Sequence, residues 1–587
     1  MDSRLMHPSR SPNSPVRANR WQVAPTHDDV ARNIAQQFGL HPVVARLLTA
    51  RGWMADRLIA ESFLAPMLKQ LRSPFELRDM DAAVDRTHEA LLNGQRICVY
   101  GDYDVDGVTA TALMVGVLRL LGGDPKVVIP HRINDGYGMN LSRVEQIAAE
   151  GCDLIITVDT GISAVAEISR AHELNIDVIV TDHHLAAGEL PAAVALVNPN
   201  RIDGVYEPTR LCGVGVAFKF AHALLKKSSL GEDQAKQFLL AQLDLVALGT
   251  VADVVPLTGE NRVFVRYGLD AILNTRRPGL RALLEVSRYQ QKTATPELIG
   301  FGLGPRLNAA GRTNDPTLAF HLLTTEDPAE ARRLAIKLDE LNTERREIES
   351  TILEQSVRQA DDLLQRSDTF TLVIGGIGWH LGVVGIVAGR LTEKYDVPAI
   401  VLACDDDHAK GSARSVPGFD IHEALIACGE HLLSYGGHSA AAGLKLKTSL
   451  LPTFRDAVND YAQARFQTMD RTRTIHVDAE VTPGEITWSL YGDLQKLQPH
   501  GEGNPEPLFL MRAVESATPP RIVGRNHLKM RLRAGNSAFD AIGFSLGHLK
   551  PTFESGRADI LFRPRENSFN GASSLELELV DGRPAAR

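Results

Sequence analysis

The apolar positions along the chain change period several times, and each change marks an architectural boundary. Residues 1 to 27 carry Arg, Ser, Pro and Asn with almost no apolar periodicity, which predicts a disordered tail. This tail lacks the apolar core, roughly 7 to 15 residues long, of a secretory signal. Its scarcity of acids leaves an organelle transit peptide as the minority alternative. From 28 to 95 the pattern is helical: Met80, Ala83, Val84, Thr87 and Leu91 recur at spacings of three and four, and Gly94 supplies a stop. Short apolar runs then alternate with helical stretches, at Ile97 to Tyr100, Val127 to Ile129, Leu154 to Val158, Asp177 to Val180 and Val194 to Val197. That alternation predicts βαβ units and a parallel sheet buried on both faces. A helical stretch from Ala329 to Gln365, free of Gly and Pro but without a clean heptad, reads as a connector between domains. Phe370 to Ile374 and Ala399 to Leu402 predict strands of a second α/β domain, and the short strands of 467 to 587 an all-β barrel or sandwich.

Composition narrows the class. At about 100 to 200 residues per domain, the 587 residues correspond to several globular domains, and 44% hydrophobic with 23% charged is ordinary for them. No run approaches about 18 apolar residues, so no membrane-spanning helix is expected. The five cysteines form no CxxC pair, which argues against a disulfide framework or a cysteine zinc site and makes a reducing, cytoplasmic setting the default. A net charge of -9 speaks against a uniformly basic nucleic-acid binder.

The candidate chemistry lies where the first sheet's strands stop. Ile97 to Tyr100 runs into Gly101-Asp102-Tyr103-Asp104-Val105-Asp106-Gly107, Leu154 to Val158 into Asp159-Thr160-Gly161, and Asp177 to Val180 into Thr181-Asp182-His183-His184. Carboxyl ends of parallel strands share one edge, where ligands bind. Crowded carboxylates repel one another unless a cation compensates, and a mixed Asp and His set without cysteine suits Mn²⁺, Mg²⁺ or Zn²⁺. The number of ligands suits two ions sharing a carboxylate, an arrangement that activates water against phosphate esters. Two other readings are weaker. Asp102 to Gly107 matches the front of a calcium loop, but Leu113 stands where that loop needs glutamate. An aspartyl-nucleophile phosphatase loop at Asp104 would leave His183 and His184 unexplained.

With these motifs the sequence resembles the DHH phosphoesterase superfamily, and within it the single-strand-specific exonucleases. The resemblance rests on Val99-Tyr-Gly-Asp-Tyr-Asp-Val-Asp-Gly107, His131-Arg-Ile-Asn-Asp-Gly-Tyr-Gly138, Asp182-His183-His184, Leu248-Gly-Thr-Val-Ala-Asp-Val-Val-Pro256 and Gly304-Pro-Arg-Leu-Asn-Ala-Ala-Gly-Arg312. Gly378-Trp-His-Leu-Gly382, Lys410-Gly-Ser-Ala-Arg414 and Tyr435-Gly-Gly-His438 resemble the associated DHHA1 module. It implies an α/β chain in which a parallel-sheet DHH domain is linked by a long helix to a smaller α/β DHHA1 domain, followed by a β-barrel OB-fold domain. The expected boundaries are 1–27 for the disordered tail, 28–325 for the helical lead-in and DHH domain, 326–368 for the connector, 369–466 for DHHA1 and 467–587 for the barrel.

The resemblance also implies roles. Asp104 and Asp106 would bind different ions of a Mn²⁺ or Mg²⁺ pair, Asp159 would bridge them, His183 and Asp253 would complete one sphere, and His184 would face the scissile phosphate. Simpler members place a histidine where this chain has Tyr100, and Asp102 is the substitute ligand on offer. Ser412 and Arg414, with Arg132, would hold a 5′ phosphate, Arg306, Asn308 and Arg312 the strand backbone, and His438 would contact substrate. The implied activity is 5′-to-3′ exonuclease action on single-stranded DNA, releasing 5′-mononucleotides in DNA repair and recombination. No phosphate-binding Gly-x-x-x-x-Gly-Lys-Ser/Thr loop is present, so unwinding would fall to a partner helicase, alongside a single-strand-binding protein, with this chain acting as a monomer in the cytoplasm. Residues 521 to 565 hold nine Lys or Arg against three acids, which fits a strand-tracking barrel. The alternatives are a phosphodiesterase for short oligoribonucleotides or cyclic dinucleotides, and a catalytically silent scaffold that binds a replication helicase.

Overall fold

The computed structural model describes residues 19–586 apart from 54–56, 132–135, 137, 187, 202, 205, 207–209, 314, 367 and 570–571. The chain divides into two compact units, Leu68–Asp470 and the pair Met1–Met67 with Arg471–Arg587.

In the central unit, five parallel strands lie in the order Lys126–Val128, Ile97–Tyr100, Leu154–Val158, Asp177–Thr181, Ala195–Val197. Ile97–Tyr100 and Leu154–Val158 are buried at every position. Val99 and Ile156 pack on one side with the helix Val105–Leu120, while Cys98 and Ile155 pack on the other with Val144, Ile147 and Ile168. This explains their continuous apolar runs. The strand order reverses between Ile97–Tyr100 and Leu154–Val158, and such a switch point opens a crevice at the carboxyl edge.

The helix Pro328–Arg366 serves two cores, which accounts for its missing heptad. Leu334, Leu338 and Leu341 join the first core, whereas Ile352 and Ala360 join that of a second sheet. That sheet runs Leu432–His438, Ala441–Lys447, His408–Arg414, Ala399–Cys404, Leu372–Ile377; only the last two are parallel. One segment, Glu232–Ala252, is apolar and long enough to cross a membrane by composition alone. A turn at Gln242 splits it into two helices, and Leu243 to Thr250 are buried in the core.

In the other unit, Phe509–Ser516, Ala558–Phe569, Ala572–Pro584, Ser537–Gly543 and His527–Ala534 close into a ring, because the first also pairs with the last. Two expectations change here. The helices Asp28–Phe38 and Pro42–Ala50 belong with this barrel rather than with the first sheet, since Ala31, Ile34, Val44 and Leu48 share a core with Phe509, Phe562 and Leu577. The apolar stripe shows that a helix buries a face, and it does not show against what. The tail is not disordered as far as residue 27 either. Arg20–Val23 pairs in parallel with Thr474–Val477, and Trp21 lies under Arg583 with its Nε1 donating to Asp581 at 3.0 Å. Residues 1–18 lie outside the described residues.

Candidate metal centre and end-binding residues

Each acidic group is placed by a strand end and the helix that follows. Asp104 caps the helix Val105–Leu120, its carboxylate accepting from the Gly107 N–H at 3.1 Å. Within the first turn of that helix, Asp106 is fully buried and accepts from the N–H groups of Gly213 and Val214 at 2.6 and 2.8 Å, at the start of the helix Gly213–Lys226. Asp159 sits at φ 62, a left-handed conformation that Asp tolerates better than most residues, and its side chain turns into the crevice. A Cβ on Gly213 would come within 2.5 Å of Asp159 Oδ1, and one on Gly249 within 2.5 Å of Asp106 Oδ1. Both positions must therefore be glycine for the carboxylates to fit. Asp253 ends the helix Leu243–Ala252.

His183 is the hub. Its Nε2 lies 3.1 Å from Asp159 Oδ1, 3.6 Å from Asp253 Oδ2 and 3.8 Å from Asp106 Oδ2. Three donor sets, each within 4.8 Å internally, result: Asp102, Asp104 and Asp159; Asp106, His183 and Asp253; Asp159, His183 and His184. Asp159 is shared between the aspartate set and a histidine set. Asp159 Oδ1 and His183 Nε2 are buried and face each other without an aligned hydrogen bond. Two buried polar atoms in that state fit the ligand atoms of a cation site.

The electrostatics agree. Burial, then the neighbouring Asp104 charge, pushes Asp106 up to about 7. Burial and the Asp106 charge push Asp253 up to about 8, and burial with four surrounding aspartates raises Asp159 well above the carboxylate range. Burial, then the adjacent His184, lowers His183 to about 4, so its ring is neutral and able to act as a ligand at pH 7. Burial opposes the charge on His184 too, but the hydrogen bond and charge of Asp182 outweigh it and raise His184 to about 9.

Sequence reasoning gave Asp182 no role beyond the motif. It is buried and saturated: Oδ1 accepts from the His183 and His184 N–H groups and from His184 Nδ1, at 2.7, 3.1 and 2.8 Å, and Oδ2 from the Ile162 N–H at 2.9 Å. It orients both histidines instead of offering a ligand atom. Asn198 and Asn200 hold the backbone carbonyls of His184 and His183 from the next strand end. The Asn198-Pro199-Asn200 run closing the fifth strand was the available signal.

The other expected residues fall into two places. Arg306, Asn308 and Arg312 share the helix Gly304–Thr313, which meets the acidic loop closely: a Cβ on Gly311 would approach Tyr103 O to 2.9 Å. Arg306 is engaged by Asp339 at 2.8 Å and by Gly302 O at 2.6 Å, so the fold uses its charge. Arg312 donates to Gly382 O at 3.1 Å, tying this helix to the start of Leu381–Tyr395. Ser412 and Arg414 lie on one face of the second sheet, and a Cβ on Gly385 would be 3.2 Å from Ser412 Oγ and 3.4 Å from Arg414 Nη2. Arg414 and His438 both register against Ala441, which places them on the same face. Arg132 lies outside the described residues.

A buried carboxylate and imidazole cluster at the switch point of a parallel sheet, followed by a second small sheet, is the architecture of a DHH-type phosphoesterase. The model for the DHH family, N-terminal domain, matches residues 96–250, that for the DHHA1 domain 368–464, and that for the RecJ OB domain 477–581. The chain is 38% identical over 569 residues to the single-stranded-DNA-specific exonuclease RecJ of Bacillus subtilis, covering 96% of this chain and 70% of that one. The crystal structure of Thermus thermophilus RecJ in complex with Mn²⁺ is 32% identical with a TM-score of 0.82, covering 97% of this chain and 80% of that one. Its Mg²⁺ complex is 30% identical with a TM-score of 0.75, covering 97% and 79%. The chain belongs to the RecJ family.

Proposed function

We propose that this protein is a metal-dependent exonuclease that degrades single-stranded DNA from its 5′ end to 5′-mononucleotides, in DNA repair and recombination. The observation that carries this reading is Asp159, shared between two donor sets and facing His183 as an unsatisfied buried acceptor. Asp102, Asp104, Asp106, Asp159, His183 and Asp253 would hold two Mn²⁺ or Mg²⁺ ions, which supply a water of lowered pKa and positive charge against the phosphate oxygens. Asp182 fixes His184 with Nδ1 engaged, so Nε2 is the atom that donates to a phosphate or leaving oxygen. At neutral pH His184 is protonated, as that role requires.

Ser412 and Arg414, with Arg132, form the proposed 5′-phosphate site, a guanidinium fork suiting phosphate oxygens. Arg414→Ala should reduce the preference for 5′-phosphorylated over 5′-hydroxyl strands about tenfold while leaving overall affinity within a few fold; competition between the two substrates reads this directly. Asn308 and Arg312 belong to the helix that meets the acidic loop at Gly311 and would contact the backbone, and His438 would contact the substrate near Arg414.

The barrel separates this reading from a phosphodiesterase for short oligonucleotides, which has no use for a strand-tracking module. Its basic stretch is partly neutralised: Glu515 holds Arg533 and Arg557, and Glu506 holds Arg565. Arg521, Arg525 and Arg531 are exposed and have no ion pair among the described residues, so they are its best strand contacts. Arg531→Glu should weaken binding of long strands and flatten its dependence on log salt by about one to two units, leaving turnover of tetranucleotides unchanged. Helicase and single-strand-binding partners, a monomeric state and a cytoplasmic location complete the proposal. Incubation with Mn²⁺ and 5′-phosphorylated, 3′-labelled single-stranded DNA tests it; absence of degradation by folded protein would overturn it, and preference for dinucleotides would favour the phosphodiesterase.

A further inference from the structure

Two exposed apolar side chains stand one residue beyond two members of the metal cluster, and neither has a packing role. Val254 follows Asp253 and is 65% exposed; Leu185 follows His184 and is 69% exposed. The segments meet at the cluster itself, where His183 Nε2 lies 3.6 Å from Asp253 Oδ2.

Val254 also carries backbone strain. It is the first residue past the helix Leu243–Ala252 and its Asp253 cap, its N–H donates to Val251 O at 3.3 Å, and its φ is 60. Glycine, or sometimes asparagine, normally takes the left-handed position that ends a helix. A β-branched residue is a genuine outlier there, because its Cβ substituents crowd the backbone. Such strain persists where the side chain has a use. Packing is not that use, since two thirds of Val254 is open to solvent. Asp159 is left-handed too, but aspartate tolerates that conformation and its side chain is spent on the cluster.

We propose that Val254 and Leu185 form an apolar lip that seats the base of the nucleotide being cleaved. The inference rests on reading the site as a nuclease for single-stranded DNA. The cluster and His184 attend to the phosphate, and nothing about them grips a nucleoside. An aliphatic edge contacts any base with equal ease, because every base presents a flat apolar face, so such a lip adds affinity without reading sequence.

The test uses the full-length protein with Mn²⁺, the variants Val254→Asn and Leu185→Ala, and two 5′-phosphorylated strands, one ordinary and one whose first two nucleotides lack bases. On the ordinary strand each variant should raise KM about tenfold, the usual scale for losing an apolar contact of this size, with kcat within about twofold. Val254→Asn should melt at or above the wild type, since asparagine accepts the left-handed conformation. On the abasic strand the wild type should show the same raised KM, and the variants should add nothing to it, as expected for two partners of one contact. Unchanged KM in both variants of an active enzyme would overturn the lip, as would full additional losses on the abasic strand. A Val254→Asn melting temperature well below that of the wild type would also overturn it, by marking Val254 as a packing residue. A wild type inactive on both strands would overturn the nuclease reading itself, and the lip with it.

Discussion

Asp159→Asn should reduce kcat by about a thousandfold or more while leaving single-stranded DNA affinity within a few fold. The substitution keeps the shape of the side chain and its tolerance for φ 62, but removes the charge shared between the two donor sets. The remaining carboxylates and His183 could still hold cations, whereas the one carboxylate common to both donor sets would no longer offer its charge. Losses of this size are ordinary when a group that stabilises developing charge is removed. Binding should persist because the proposed strand contacts lie on the barrel, the second sheet and the helix Gly304–Thr313, and Asp159 belongs to none of these. Turnover within tenfold of the wild type would remove Asp159 from the centre of the site. A second readout sharpens the result: the metal-free variant should melt higher than the metal-free wild type, because the folded protein no longer has to hold a proton on a buried carboxyl that the unfolded chain ionises.

The same crowding sets the second expectation, that the metal-free protein loses stability as pH rises from 6.5 to 8. Asp106 at about 7, Asp253 at about 8 and Asp159 higher still carry protons into this window in the folded state, where their unfolded counterparts have already ionised. A group whose folded pKa is raised contributes stability below its unfolded value and loses it as pH climbs through the folded one. His184, raised to about 9, runs the same way above 6.5. His183, lowered to about 4, runs the other way, but its contribution is complete once pH exceeds the unfolded value near 6.5. In the window from 6.5 to 8 the raised groups therefore act without opposition from it. A fall of roughly 5 °C in melting temperature is expected, on the order of a few kcal/mol, and Mn²⁺ should abolish most of it by stabilising the ionised carboxylates. A flat metal-free profile across that window would contradict the burial of these three groups.

The acidic and histidine cluster was legible because parallel strands deliver their ends to one edge whatever separates them in sequence. Asp102 to Asp106, Asp159 and His183 with His184 needed only strand ends to be found, and Asp253 came from its motif. What stayed hidden depended on partners far along the chain. Arg306 looked available for DNA until Asp339, on the connecting helix, took its charge. The basic stretch of the barrel looked stronger than it is because Glu506 and Glu515 fell outside the window counted. Asp182 reads like its ligand neighbours, and only its four hydrogen bonds show that it orients histidines. The destination of the first two helices was equally invisible, since an amphipathic stripe does not name its partner.

The pairing of Arg20–Val23 with Thr474–Val477 has a consequence for synthesis. Residues 20–67 cannot complete their fold until residues 471–584 have also been made. About 400 residues, Leu68–Asp470, separate the two halves of that unit, which at roughly 5 to 20 residues per second is a wait of about 20 to 80 s. The phosphoesterase unit can fold as it is made, while Val44, Leu47 and Leu48 wait with their apolar faces uncovered. A nascent chain stalled or cut before residue 471 should therefore carry a formed acidic and histidine cluster and a sticky segment at residues 28–50, the part that a chaperone would have to hold.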